Sequence, residues 1–139
     1  MNTNASSSPR AARFSKVELV MSILLAVFLF VLALRGFLAP AAAAEGFGIA
    51  VTNPADLFYV HVKADRDLSS ALAVSALLAL GERRALAAFV GVATVQPVLD
   101  AALSIADPRG HLGYALAVHG SAAVYGVVLL LLLMRRRAA

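Results

Sequence analysis

Three stretches of this chain, Val17–Ala39, Ala85–Ala106 and Leu112–Met134, are almost wholly apolar. Each is at least about 20 residues, and a helix rises ~1.5 Å per residue, so each can cross a ~30 Å hydrocarbon layer. In lipid every backbone polar group must be satisfied within its own segment, so such runs are helices. Composition agrees. Of 139 residues 61% are hydrophobic and 14% are charged, against about a quarter charged in soluble domains. The chain has no cysteine and no tryptophan. Disulfides, thiolate chemistry and thiolate metal sites are therefore excluded, and any interfacial aromatic belt must come from Tyr and Phe.

The net charge of +4 does not point to nucleic acid, because the cations sit at the ends of the apolar runs. Arg10, Arg13 and Lys16 precede the first, Arg83 and Arg84 lie before Ala85, and Arg135, Arg136 and Arg137 follow the last. With four spans these eight fall on one side, and the positive-inside rule makes that side cytoplasmic, with both termini. Residues 1–16 read as a disordered polar tail and residues 135–139 as a basic one. "FLAPAAAAEG" resembles a signal-peptide cleavage region. The apolar stretch before it exceeds an h-region, however, and Arg35 interrupts the approach to the alanines, so the run is expected to remain as a span.

The remaining span holds the charges that matter. Leu68–Leu80 covers roughly 20 Å of helix, too little to cross. The helix must start earlier, and "NPAD" (Asn53–Asp56) supplies an Asn cap and a proline for the first turn. A span over residues 54–80 puts the outer hydrocarbon boundary near Val60, about 30 Å from Leu80, and draws Arg66 and Asp67 inside it. Lys63 and Asp65 are expected at the rim. Counted from their cytoplasmic ends, Arg66 and Asp67 lie at about 20 Å, Asp100 and His119 at about 22 Å, Gln96 at about 17 Å and Arg35 near 27 Å. Polar groups from several helices thus share a layer in the outer part of the membrane.

An ionisable group facing lipid costs ~2.5–3.5 kcal/mol, so these should face each other inside a bundle. Small residues permit close packing, among them Ala71 and Ser75, Ala87 and Gly91, and Gly113 and Ala117. Pro97 frees the Ala93 carbonyl and is expected to kink the third span beside Gln96 and Asp100. Structural readings stand beside the functional one. Arg66 could form a locking ion pair with Asp100 or Asp67, His119 could be a packing residue, Asp67 could cap a shorter helix, and Gln96 could be interhelical glue.

Other residues carry the likeness to a known family. Pro40 followed by Gly46-Phe47-Gly48, Arg66-Asp67 leading the second span, "GERRAL" from Gly81, and a lone Asp100 late in the third resemble small bacterial and fungal membrane proteins grouped as a domain of unknown function, of DoxX-like superfamily architecture. The resemblance covers residues 17–134. It implies a four-helix bundle, in a superfamily that includes quinone-linked oxidoreductase subunits, cargo receptors and assembly helpers.

The expected fold is an all-α, four-transmembrane-helix bundle in a cell membrane, the bacterial inner membrane by preference. The expected function is a site for a lipid-soluble small molecule such as a quinone or isoprenoid. Asp100, His119 and Arg66 are its catalytic candidates, and Asp67, Gln96, Arg35 and Glu45 are ligand-binding candidates. Asp100 or His119 would move a proton and Arg66 would steady negative charge. The alternative is a non-enzymatic helper or structural subunit, with a second copy or another membrane subunit as partner. A small multidrug exporter would carry a mid-membrane carboxylate in its first span, where this chain has only Glu18 at the edge. His61, His111 and His119 have no metal-ligand spacing. No phosphate loop or other cofactor motif is legible, so the cofactor stays unknown.

Overall fold

The computed structural model describes residues 14–48, 51, 53–108 and 110–135. All regular structure among them is helical. Helix α1 (Lys16–Leu38) opens on a reciprocal capping box. The Glu18 amide donates to Ser15 Oγ at 3.1 Å, and the Ser15 amide donates to the Glu18 carboxylate at 2.8 Å, which satisfies two N–H groups that a helix start leaves open. Of the two tails, Met1–Arg13 and Arg136–Ala139 lie outside the described residues, and Ser15 and Lys16 belong to the helix start rather than to a tail.

A short helix α2 (Pro40–Phe47) follows, with Pro40 in its first turn and Gly48 in the left-handed conformation at its C-cap (φ 106°). This pairing of proline at the start with glycine past the end is the usual punctuation of a helix. Sequence reading ended the first span at Ala39 and assigned no helix to this segment.

The third helix, α3 (Leu57–Ala79), begins well before Asp67. Asn53 caps a 3₁₀ turn, Pro54–Asp56, by accepting from the Ala55 amide at 3.1 Å, and the turn runs directly into the helix. Asp67 is therefore a mid-helix residue and caps nothing. Helix α3 ends in a Schellman motif. The Glu82 amide donates to the Leu77 carbonyl (2.9 Å) and the Gly81 amide to Leu78 (3.1 Å), with Gly81 at φ 72°, the arrangement that closes orphan carbonyls at a helix end. Gly81→Ala should lower stability by about 1–2 kcal/mol through the left-handed backbone alone. Denaturant unfolding of the purified protein checks this, and an unchanged midpoint would contradict it.

Helices α4 (Arg83–Ala93) and α5 (Val95–Ala106) are two halves of one rod, broken at Thr94. Pro97 has no N–H for the Ala93 carbonyl, and its ring crowds that oxygen, which accounts for the break. The last rod consists of α6 (Leu112–Ala115), a π-helical turn at Leu116–Gly120, and α7 (Ser121–Met134). Among the described residues three rods are long and apolar enough to cross a membrane: Lys16–Leu38, Arg83–Ala106 and Leu112–Met134. Helix α3 has 23 residues but carries Lys63, Asp65, Arg66 and Asp67 within them.

Helix α1 packs along α3, and α4 packs along α7. The core lies at the end where α3 turns into α4. Val74, Leu86, Val90, Leu129 and Leu133 are buried there around Ala26 and Ala87. The same end is fastened by Arg83. Its guanidinium grips the Glu18 carboxylate at 3.0 and 3.4 Å and donates to the carbonyls of Leu132 and Arg135, both at 3.1 Å. One side chain thus ties the starts of α1 and α4 to the end of α7. Tyr125 adds a bond from its hydroxyl to the Met21 carbonyl at 2.8 Å.

Candidate functional site

At the opposite end from Arg83 the helices separate. Helix α3 packs on α1 but not closely on α5, and a cavity of about 540 Å³ lies between them. Its wall has an apolar part, with Leu25, Leu29 and Leu32 along one stripe of α1 facing Phe89 of α4, and a polar part nearer the α2 end. The polar part is built mainly by α3. Tyr59, Lys63, Arg66 with the adjacent Asp67, and Ser70 recur at intervals of three or four residues, so one side of the helix presents them, and Asp56 joins from the preceding 3₁₀ turn.

Two ion pairs span this region. Lys63 Nζ and the Asp67 carboxylate meet one turn apart on α3, and Asp67 is 4% exposed. Sequence depth places Lys63 at the rim, yet it lies in the cavity wall. The four-residue spacing puts its ammonium over Asp67, and its apolar stem lets it reach there. Arg66 bridges from α3 to Asp100 on α5 with an N···O distance of 3.6 Å. That is longer than a hydrogen bond, and the Arg66 side chain stays 42% exposed. It is a loose strut across a gap.

His119 sits in the π-helical turn and is buried. Its Nε2 lies 3.0 Å from the Phe47 carbonyl oxygen, and its ring lies against the Phe47 ring at 4.5 Å between centroids. A carbonyl only accepts, so this bond holds the imidazole proton on Nε2 and leaves Nδ1 as an acceptor when the ring is neutral. Lys63 Nζ stands 5.8 Å from the other partner in this contact, the Phe47 ring, within cation–π range. Tyr114 donates its hydroxyl to the Gly46 carbonyl at 2.9 Å. Helix α2 therefore acts as a bracket. It is held to the last rod through Gly46 and Phe47, and to α1 through Arg35, which donates to the Ala42 carbonyl at 2.9 Å.

Of the residues singled out from sequence, Arg66, Asp67, Asp100, His119, Gln96 and Arg35 all line this one cavity. Glu45 does not. It is exposed on α2, away from the wall, because α2 turns its Ala44 and Phe47 inward instead. The structure joins Asp100 to Arg66 and His119 to Phe47, so the acid and the imidazole share the cavity without a direct bond. Sequence reasoning missed Phe47, Tyr114 and Lys63. Pro40 and Gly48 bounding an alanine run were the available signal for α2, while nothing in the sequence marks a backbone carbonyl as the partner of His119.

Two charged groups need no place in this site. Glu18, at the edge of the first span, forms the buried pair with Arg83, and Arg84 lies beyond the cavity wall. Searches of curated proteins and of solved structures each found no match. A family model does match, over residues 26–133, from the middle of α1 to the last residues of α7 and so across every helix that lines the cavity. The chain belongs to the family described as "Domain of unknown function (DUF4267)".

Proposed function

We propose that this protein is a four-span integral membrane protein, with both termini cytoplasmic, whose cavity binds a lipid-soluble small molecule of the quinone or isoprenoid type. Helix α3 is the fourth span, with Lys63, Arg66 and Asp67 lining the cavity and Asp65 outside its wall, and the DoxX-like architecture suggested by the sequence motifs belongs to the same proposal. The observation that carries the reading is the cavity itself. It joins polar residues from α1, α3, α5 and the π-helical turn to a continuous apolar wall. A mostly apolar pocket with a few convergent polar groups is the usual form of a small-molecule site, and intramembrane ionisable residues tend to mark function. The π-helical turn that carries His119 fits the same pattern, since such turns concentrate at functional sites.

In this reading Asp100 and the free Nδ1 of His119 are the groups able to exchange a proton with a bound molecule. Arg66, loosely held, orients its polar head, and Gln96 and Asp67 shape the surroundings. The second reading, a non-catalytic helper or structural subunit, is favoured by one observation. Arg66 of α3 pairs with Asp100 of α5, as charges serving only to lock helices would.

Native mass spectrometry of the protein extracted in mild detergent separates the two. The first reading expects a retained amphiphile. It also expects Asp100→Asn and His119→Ala each to reduce retention at least about tenfold, the loss of one charge-assisted hydrogen bond, while both variants still insert. Equal retention in both variants, or no adduct on the wild type, would leave the helper reading.

A further inference from the structure

The charge carried by the cavity wall narrows the ligand further. Arg35 lines the cavity near the turn into α2. One of its five N–H donors is engaged, on the neutral Ala42 carbonyl. No carboxylate among the described residues lies within ion-pair distance of it. The other two cations of the wall, Lys63 and Arg66, each face an acid, Asp67 and Asp100. Asp56 is the remaining acid on the wall, but it is exposed on the 3₁₀ turn before α3. It lies about four residues outside Val60, where the depth count sets the hydrocarbon boundary, and is solvated there. Inside that boundary the wall therefore holds Arg35, Lys63 and Arg66 against Asp67 and Asp100, an excess of one positive charge when His119 is neutral.

Arg35 is itself exposed, so its remaining donors are open to a ligand entering the cavity, and a guanidinium is the side chain best matched to carboxylate and phosphate oxygens. The apolar part of the wall fixes the other end of the ligand. Leu25, Leu29 and Leu32 descend α1 from Arg35 toward Phe89, about 15 Å of helix between Leu25 and Arg35. At the ~30 Å³ a water molecule takes in the liquid, about 540 Å³ corresponds to roughly 18 non-hydrogen atoms. That is enough room for one chain with its head.

We infer that the cavity takes a single-chain amphiphile with a monoanionic head, a carboxylate or phosphate, bound at Arg35 with its chain along the α1 stripe. This rests on the cavity reading above and narrows it, setting aside a neutral quinone in favour of an anionic head. The test uses the full-length protein in a neutral detergent, with radiolabelled palmitate as probe and palmitate, hexadecyl phosphate, 1-hexadecanol and a short-chain ubiquinone as competitors. The two anions should compete at least about tenfold better than the alcohol and the quinone, and Arg35→Gln should remove that preference. Arg35→Lys, which keeps the charge, should retain part of it. Equal competition by palmitate and 1-hexadecanol, or an unchanged preference in Arg35→Gln, overturns the anionic assignment and leaves the cavity reading standing. Binding of none of the four competitors overturns both.

Discussion

Arg83→Ala should destabilise the folded bundle by about 3–5 kcal/mol, the usual consequence of removing one partner from a buried ion pair. The Glu18 side chain is 5% exposed and the Arg83 side chain 12% exposed, so water reaches the pair little, and the Ser15 amide that Glu18 keeps carries no full charge to replace the guanidinium. The same substitution strips the Leu132 and Arg135 carbonyls of their donor, and both belong to a helix end whose last carbonyls have no intrahelical partner. Chemical unfolding in detergent micelles, followed by circular dichroism, measures the loss. The double variant Glu18→Gln/Arg83→Met should recover much of it, because replacing both charged partners removes the desolvated charge as well as the bond. A single variant within about 1 kcal/mol of wild type would show that the clamp contributes little.

Gly36→Leu should have an effect of similar size through packing alone. A Cβ on Gly36 would stand 2.6 Å from the Ala64 Cβ and 3.5 Å from its Cα, with the Val60 carbonyl at 3.7 Å. The obstruction is backbone and a methyl group, neither of which can swing away, so α1 and α3 must part. Adding one or two methylenes to a well-packed seam costs roughly 1–3 kcal/mol, and a whole isobutyl group exceeds that range. Gly36 and Ala64 also line the cavity, so amphiphile retention should fall with stability. The exchange Gly36→Ala/Ala64→Gly keeps the seam's volume and should behave nearly as wild type. A swapped protein as damaged as Gly36→Ala alone would mean that position, not volume, matters there.

Much of the frame was legible because it follows from length and hydropathy. Three apolar runs became the three long rods, "NPAD" began the chain's turn into α3, and Gly81 turned it into α4. Depth counting along those rods also grouped Arg66, Asp67, Gln96, Asp100 and His119, since residues at equal depth on neighbouring helices meet if they face inward. What escaped were interactions that a one-dimensional ruler does not contain. Arg83 read as a charge setting orientation, yet its bonds reach 65 residues back to Glu18 and 49 forward to Leu132. Helix α2 was hidden because four alanines continue an apolar run smoothly, and only its proline and glycine announce it. The π-helical turn at His119 leaves no mark in hydropathy. Lys63 was misplaced because depth was weighed without the pull of Asp67 one turn away. Glu45 was grouped with the site, and the facing of α2 carried it outward.

The Arg83 clamp makes this bundle a lever. The starts of α1 and α4 and the end of α7 are pinned at one point, whereas the gap between α3 and α5 is bridged near the other end by the 3.6 Å strut of Arg66 and Asp100. Helix α1, with 23 residues, is about 35 Å long, so tilting it by roughly 5° about the pinned end moves its far end by about 3 Å. That displacement is comparable to the strut. With Arg83 fastening one end and the α2 bracket tying α1 to the last rod at the other, the α3–α5 gap and its single strut are the least fastened part of the bundle.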